Sequence, residues 1–169
     1  MRVLILRLKR ERYLFMDVNE KIKQLGLTVP AAPQLGGVYA QFKRFGDNLA
    51  YVSGCSPSIG QDKCQGILGK DMSVEQGQVA ARDCILNILA VIQKHIGDLN
   101  KVKSFVKLLG FVRCTDNFTE QPQVMNGASQ LLIDIFGDEI GRPSRSAIGT
   151  NALPGGIPVE IEAMIELKE

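Results

Sequence analysis

The sequence has a single histidine, His95, and four cysteines that show neither CxxC pairing nor any other metal-ligand spacing. Structural zinc is held by tetrahedral sets of Cys and His, so no metal centre is expected. Cys55, Cys64, Cys84 and Cys114 read as free thiols of a reducing compartment, which points to the cytoplasm. No apolar run approaches the about 20 residues that a membrane-spanning helix needs, so a soluble protein with no membrane partner is expected. An excess of charge of one sign is also missing. Twenty basic residues against eighteen acidic ones leave a net charge of +2. Nothing in that balance asks for a polyanion, and nucleic acid is not an expected partner.

What is present is 169 residues with 45% hydrophobic content, enough for one compact domain and short for two. The opening MRVLILRLKRERYLF alternates basic and apolar residues but lacks the long apolar region and small-residue cleavage site of a secretory signal. Its shortage of serine speaks against organelle targeting. Residues 1–15 therefore read as an extension upstream of a natural start at Met16, and residues 16–169 as a single domain.

Along that domain, DVNEKIKQLGL reads as a short helix with Val18, Ile22 and Leu25 on one side and Gly26 as its stop. A Pro/Gly-rich connector follows. VYAQFKRF and NLAYVSG then form a strand pair around the turn residues Gly46-Asp47-Asn48. The stretch from Cys55 to Met72 is irregular and reads as a long surface loop beside which a site could form, with Cys55 and Cys64 open to exposure. Ser73 and Gln76 make a capping box ahead of Ala81, Ile85, Ile88, Ile92 and Ile96, so a helix is expected from Ser73 to Gly97. KVKSFVKLLGFVRC is a strand, and a second helix is expected from about Thr119 to Phe136, stopped by Gly137. SRSAIGTNA and PVEIEAMIEL close the chain as a strand hairpin around Leu153-Pro154-Gly155-Gly156.

The order β-β-α-β-α-β-β predicts an α+β fold, a two-layer sandwich with two amphipathic helices on one sheet face. Strict alternation in the last strand puts Val159, Ile161, Ala163, Ile165 and Leu167 on one face and Glu160, Glu162, Met164 and Glu166 on the other. Two readings fit that acidic face. It is either a solvated surface or a face that packs on other subunits and supplies a carboxylate to a cleft, with Arg145 as an anion clamp whose planar fork suits a substrate carboxylate. Periodicity does not choose between them. Among the remaining candidates, Arg142 reads as a loop arginine, His95 as a partner of its helix C-terminus, and Cys84 as core. Lys101, Lys103, Lys107 and Arg113 read as a wetted strand face.

The segment SRSAIGTNALPGGIPVEIEAM resembles the C-terminal signature of the RidA (YjgF) family, an Arg-Ser pair, a Leu-Pro turn and a Val/Ile-Glu-Ile-Glu-Ala strand. GGVYAQ is similar to the family's Gly-Pro-Tyr-x-Gln segment, YVSG to its second-strand Ser-Gly, and DNFTEQPQVMNGA to the stretch before its second helix. The resemblance spans roughly residues 20–167, and MSVEQGQVAAR with the long loop looks most like a less-studied branch. It implies a chorismate-mutase-like fold assembled as a homotrimer around a central barrel, with active sites in the clefts between subunits. The implied activity is a deaminase that hydrolyses reactive 2-imino or enamine acids to 2-keto acids and ammonia, without cofactor or metal. By motif match Arg145 binds the substrate carboxylate and Glu160 positions water, while Tyr39, Ser53, the Gly54 backbone and Asn126 line the pocket.

A protonated imine is already an electrophile, so positioning and a weak base can supply much of the acceleration. A carboxylate near an apolar wall is expected to have a raised pKa. Two departures from the family pattern bear on substrate choice: the cysteine two residues after the arginine is Ala147 here, and an extra residue separates Tyr39 from Ser53. Two other functions are weighed against the deaminase. One is a non-catalytic small-carboxylate-binding or chaperone-like protein using the same cleft. The other is an RNA-cleaving translation inhibitor, which lacks a catalytic histidine here.

Overall fold

The computed structural model describes residues 17–169, so the extension inferred for residues 1–15 and its targeting reading lie outside the described residues. The first helix, α1 (Val18–Gln24), starts where the Asp17 side chain accepts hydrogen bonds from the Asn19 and Glu20 amides, and it buries Val18 and Ile22. Strand β1 (Phe42–Phe45) is shorter than expected, because residues ahead of Phe42 run as an irregular segment that forms a lip of the site. Strand β2 covers Leu49–Cys55.

Helix α2 (Val74–Ile96) begins with the expected capping box. The Ser73 hydroxyl accepts from the Gln76 amide, the Gln76 side chain accepts from the Ser73 amide, and Gly97 ends the helix with φ 80°. Strand β3 is Val102–Arg113 and helix α3 is Gln121–Gly141. Gly137 breaks α3 with φ 79° and ψ 166°, as expected of a stop, but one more turn follows before the chain leaves at Arg142. That turn folds back onto the helix: a Cβ on Gly141 would overlap the Leu132 carbonyl.

The last two strands, β4 (Ser144–Thr150) and β5 (Val159–Leu167), do not form the hairpin that their Leu-Pro-Gly-Gly linker suggested. The five-stranded sheet runs in the order β1-β2-β5-β3-β4. β5 is antiparallel to both β2 and β3, and β4 lies parallel to β3 at the edge. Burial explains the choice. β5 carries an unbroken apolar side, with Val159, Ile161 and Ile165 at 0% exposure, and gains most from the sheet centre, where helices cover it. β4, with Ser144, Ser146 and Gly149 among its seven residues, is suited to an edge.

Helices α2 and α3 cover one face and enclose a core of Ile85, Ile88, Leu89, Ile92, Leu131 and Leu132 against Phe105, Leu108 and β5. The helices pack closely because Gly127 lets α3 approach the α2 backbone; a Cβ there would overlap the Gln78 carbonyl oxygen. The sheet's other face has no cover among the described residues. It carries Phe45, Tyr51 and Ile148, all exposed, beside Glu160, Glu162, Met164 and Glu166. A two-layer α+β sandwich is therefore what forms. Among the described residues no helix is long and apolar enough to cross a membrane.

Candidate functional site

Strand β2 is regular until Val52, which pairs with Ala163, and then Cys55 pairs with Ile161. Two residues, Ser53 and Gly54, thus stand opposite one on β5, a β-bulge of the kind that re-aims side chains beside active sites. Across the bulge, Glu160, the second residue of β5, projects on the helix-free face. The space its carboxylate occupies is the space of a side chain missing from Gly54, since a Cβ there would collide with Glu160 Oε1. Ser53 ties the bulge to the incoming segment: its amide donates to Gln41 O at 3.0 Å and its hydroxyl to Ala40 O at 2.7 Å.

These groups lie in a cleft of about 610 Å³. One side is the 33–41 segment, with Tyr39 at the mouth. The other is the Pro154–Gly156 turn with Ile157, and Val91 of α2 stands at the back. Gln41, which is buried, holds the lip by donating from Nε2 to Pro33 O at 2.7 Å. Partial burial pushes the Glu160 carboxyl above its ordinary value, and the charge of Glu162 adds to the effect. The same desolvation, with Glu160 nearby, pushes the Cys55 thiol up to about 12. Cys55 is buried at the end of β2 rather than open to exposure in a loop, and burial suppresses the thiolate, the nucleophilic form. Among the described residues no cluster of His, Cys, Asp and Glu could hold a metal ion.

The six sequence-derived site residues fall into two groups. Tyr39, Ser53, Gly54 and Glu160 line the cleft. Arg145 and Asn126 meet elsewhere. Arg145 is paired with Leu108 on the parallel β3/β4 ladder and so points to the helix side at the sheet edge, whereas Glu160 is paired with Phe111 and points to the open side. Three partners on α3 hold the guanidinium: Nη1 donates to Asn126 Oδ1 and to Ser129 Oγ, each at 3.1 Å, and Nη2 donates to the Pro122 carbonyl at 3.1 Å. All three are neutral. Partial burial draws Arg145 below its ordinary value, but a guanidinium stays charged. It is a cation fixed in place with no carboxylate bonded to it among the described residues.

The other candidates are committed elsewhere. Arg142 pairs with Asp138 on the surface. His95 Nδ1 lies 2.9 Å from Val91 O, and its ring stacks on Phe42. Lys103 bridges to Glu166, Lys107 donates to Ser146, Lys101 to Ile96 O, and Arg113 to Gly156 O. The sequence reading missed Gln41, Ser56, Val91 and Ile157. Gln41 carried a legible signal, a polar residue alternating inward ahead of a strand. Val91 looked like any other core position of α2.

The family whose pattern matches residues 19–161 is described as "YjgF/chorismate mutase-like, putative endoribonuclease". Protein TCP17 of Trypanosoma cruzi is 41% identical over 151 residues, covering 89% of this chain and 94% of that protein. The crystal structure of protein Atu1372 from Agrobacterium tumefaciens, of unknown function, is similar at 38% identity and TM-score 0.82, covering 89% of this chain and 92% of that one. A Shewanella oneidensis structure described as an endoribonuclease of the same provisional kind shares 29% identity with TM-score 0.84, covering 90% of this chain and all of that one (100%).

Proposed function

Because the chain belongs to the YjgF/chorismate-mutase-like family, we propose that it hydrolyses reactive 2-imino or enamine acids to 2-keto acids and ammonia. The observation that carries this reading is the pairing of a half-buried Glu160 beside the Gly54 bulge, its carboxyl pushed above its ordinary value by burial, with a pre-positioned cation at Arg145. The two belong to different faces of one chain, so the working site is proposed to form between copies. In a homotrimer with the open sheet faces inward, Arg145 and Asn126 of one copy complete the Glu160 cleft of the next.

In that cleft the substrate carboxylate would sit on the Arg145 fork, and the imine carbon would lie toward Glu160. Water adds to the C=N carbon while Glu160 takes one of its protons. The resulting carbinolamine receives a proton on nitrogen, its C–N bond breaks as the C=O bond forms, and ammonia leaves. The atoms balance with water alone. A carboxyl group whose pKa is raised above its ordinary value by burial is suited both to accept and to return the proton, and Gly54 leaves it the room to do so.

The test is ammonia or keto-acid release from 2-imino acids generated in situ by an amino-acid oxidase. Acceleration by the wild type that is lost in Arg145→Ala and Glu160→Gln, with assembly unchanged, is the expected result; an unaltered rate in Arg145→Ala overturns the reading. The replacement of the family cysteine by Ala147 favours a second reading, a non-catalytic carboxylate binder. That reading expects 2-keto acids to raise the melting temperature with no turnover of any imine. A nucleolytic role finds less support, since His95 is stacked on Phe42 and bonded to Val91 O.

A further inference from the structure

The Arg145 guanidinium lies along one stripe of helix α3. Its acceptors are the Pro122 carbonyl, Asn126 Oδ1 and Ser129 Oγ, which stand at i, i+4 and i+7 and so share one face of the helix. That stretch of α3 is fixed in turn. Gln78 of α2 donates from Nε2 to the Gln123 carbonyl at 3.0 Å, and Gly127 lies so close to the Gln78 carbonyl that a Cβ would overlap it. Asn126 has to present its oxygen to Arg145, because a guanidinium holds donors only.

A guanidinium carries one N–H on Nε and two on each terminal nitrogen. Both N–H bonds of Nη1 are taken, one by Asn126 Oδ1 and one by Ser129 Oγ, each at 3.1 Å. Nη2 gives one to Pro122 O at 3.1 Å. Its second N–H and the Nε–H have no partner among the described residues, and Nε is not sealed from solvent as Arg113 Nε is. With the Nη1–Nη2 end of the fork against α3, the two remaining N–H bonds lie side by side and point the same way. One carboxylate fills that pair with its two oxygens.

We propose that Ser129 is a positioning residue for the anion clamp: by taking one Nη1 bond it turns Arg145 so that the acid's carboxylate docks side-on, across Nε and Nη2. The inference rests on the carboxylate-binding part of the deaminase reading and assigns the residue that orients it. Ser129 acts through Arg145 and is not itself a ligand of the acid. The three acceptors on α3 are neutral, so they orient the cation without cancelling its charge, as a carboxylate partner would. A free arginine side chain gives up rotamer freedom when it binds. One held beforehand by α3 has already done so, and affinity gains accordingly.

Calorimetric titration of the full-length protein with pyruvate, together with imine turnover from alanine and its oxidase, tests this in the wild type, Ser129→Ala and Ser129→Thr. Alanine is a good helix former, and melting temperatures confirm that both variants fold. Ser129→Ala is expected to weaken pyruvate about three- to tenfold, the scale of one lost hydrogen bond, and to raise KM by a similar factor. Its kcat should stay within about twofold, because the Glu160 end is untouched. Ser129→Thr keeps the hydroxyl and is expected to bind within about twofold of wild type. In the wild type, the Arg145 Nε–H proton resonance, identified by its loss in Arg145→Lys, should move downfield as pyruvate binds. Unchanged pyruvate affinity in Ser129→Ala overturns the proposal. So does a kcat loss at constant KM, a Thr variant as weak as the Ala variant, or an Nε–H signal that pyruvate leaves in place; each leaves the deaminase reading standing. A wild type that binds pyruvate but turns over no imine overturns the deaminase reading alone, since affinity and the Nε–H signal still report on the clamp. A wild type that binds no pyruvate overturns both.

Discussion

Glu160 and Gly54 depend on one another at the residue scale. Gly54→Ala is expected to expel the Glu160 carboxylate from its position and to lower imine turnover at least about tenfold, the scale on which a displaced proton-transfer group acts. Circular dichroism should remain that of the wild type, because the bulge lies at the end of β2. The raised Glu160 pKa also has a stability signature. A carboxyl that binds its proton more tightly in the folded state loses stability as pH rises from its ordinary value of 4.5 toward the raised one, and the loss is complete above that. Glu160→Gln removes this drop. Its melting temperature relative to wild type is therefore expected to climb as pH rises above the ordinary carboxyl value of 4.5, and parallel curves would show that the carboxyl is unperturbed. Both residues were legible in the sequence through the Val-Glu-Ile-Glu and Ser-Gly motifs. Their mutual contact was not, because register across a bulge is a property of two strands.

Helix α2 was readable to its ends at the scale of elements, since capping box, apolar repeat and terminal glycine are all local features. Ser73→Ala removes the acceptor for the Gln76 amide and is expected to cost about 1 kcal/mol in denaturant unfolding. The close approach of α3 to α2 at Gly127 left no local sign. A methyl there meets the Gln78 carbonyl, which is backbone and cannot swing aside, so Gly127→Ala is expected to destabilise by about 1–3 kcal/mol. An unchanged unfolding midpoint would mean that the helices slide apart without loss. The strand order shows the opposite limit. Leu-Pro-Gly-Gly has the chemistry of a hairpin turn, yet the chain uses it to pass from the edge strand β4 to the centre of the sheet. Competition for the buried central place decided that, and only the whole set of strands enters that competition.

At the scale of the whole molecule, one sheet face is left without a covering helix among the described residues. Phe45, Tyr51 and Ile148 are 40%, 39% and 46% exposed on it, around the acidic row of β5. Apolar exposure spread from one edge of that face to the other fits an association surface, and the proposed trimer would bury it. Ile148→Glu puts a charge into that surface without touching the cleft of its own chain. Light scattering is expected to give three times the 18.5 kDa chain mass for the wild type and the single-chain mass for the variant, with deamination lost alongside. A variant that stays trimeric, or a monomer that keeps full activity, would show that the site does not need a second copy.

The sequence by itself determined which β5 residues face inward, where α2 begins and ends, and which side chains are candidates for chemistry, because alternation, capping and motif chemistry act over a few neighbouring residues. Tertiary structure decided which of those side chains share a space. Arg145 and Glu160 stand on consecutive strands of the chain, but each pairs with β3, Arg145 opposite Leu108 and Glu160 opposite Phe111, and those positions alternate, so the two groups face opposite sides of the sheet. Pairing order is set by which strand gains most from central burial, a comparison among all five strands that no local segment contains.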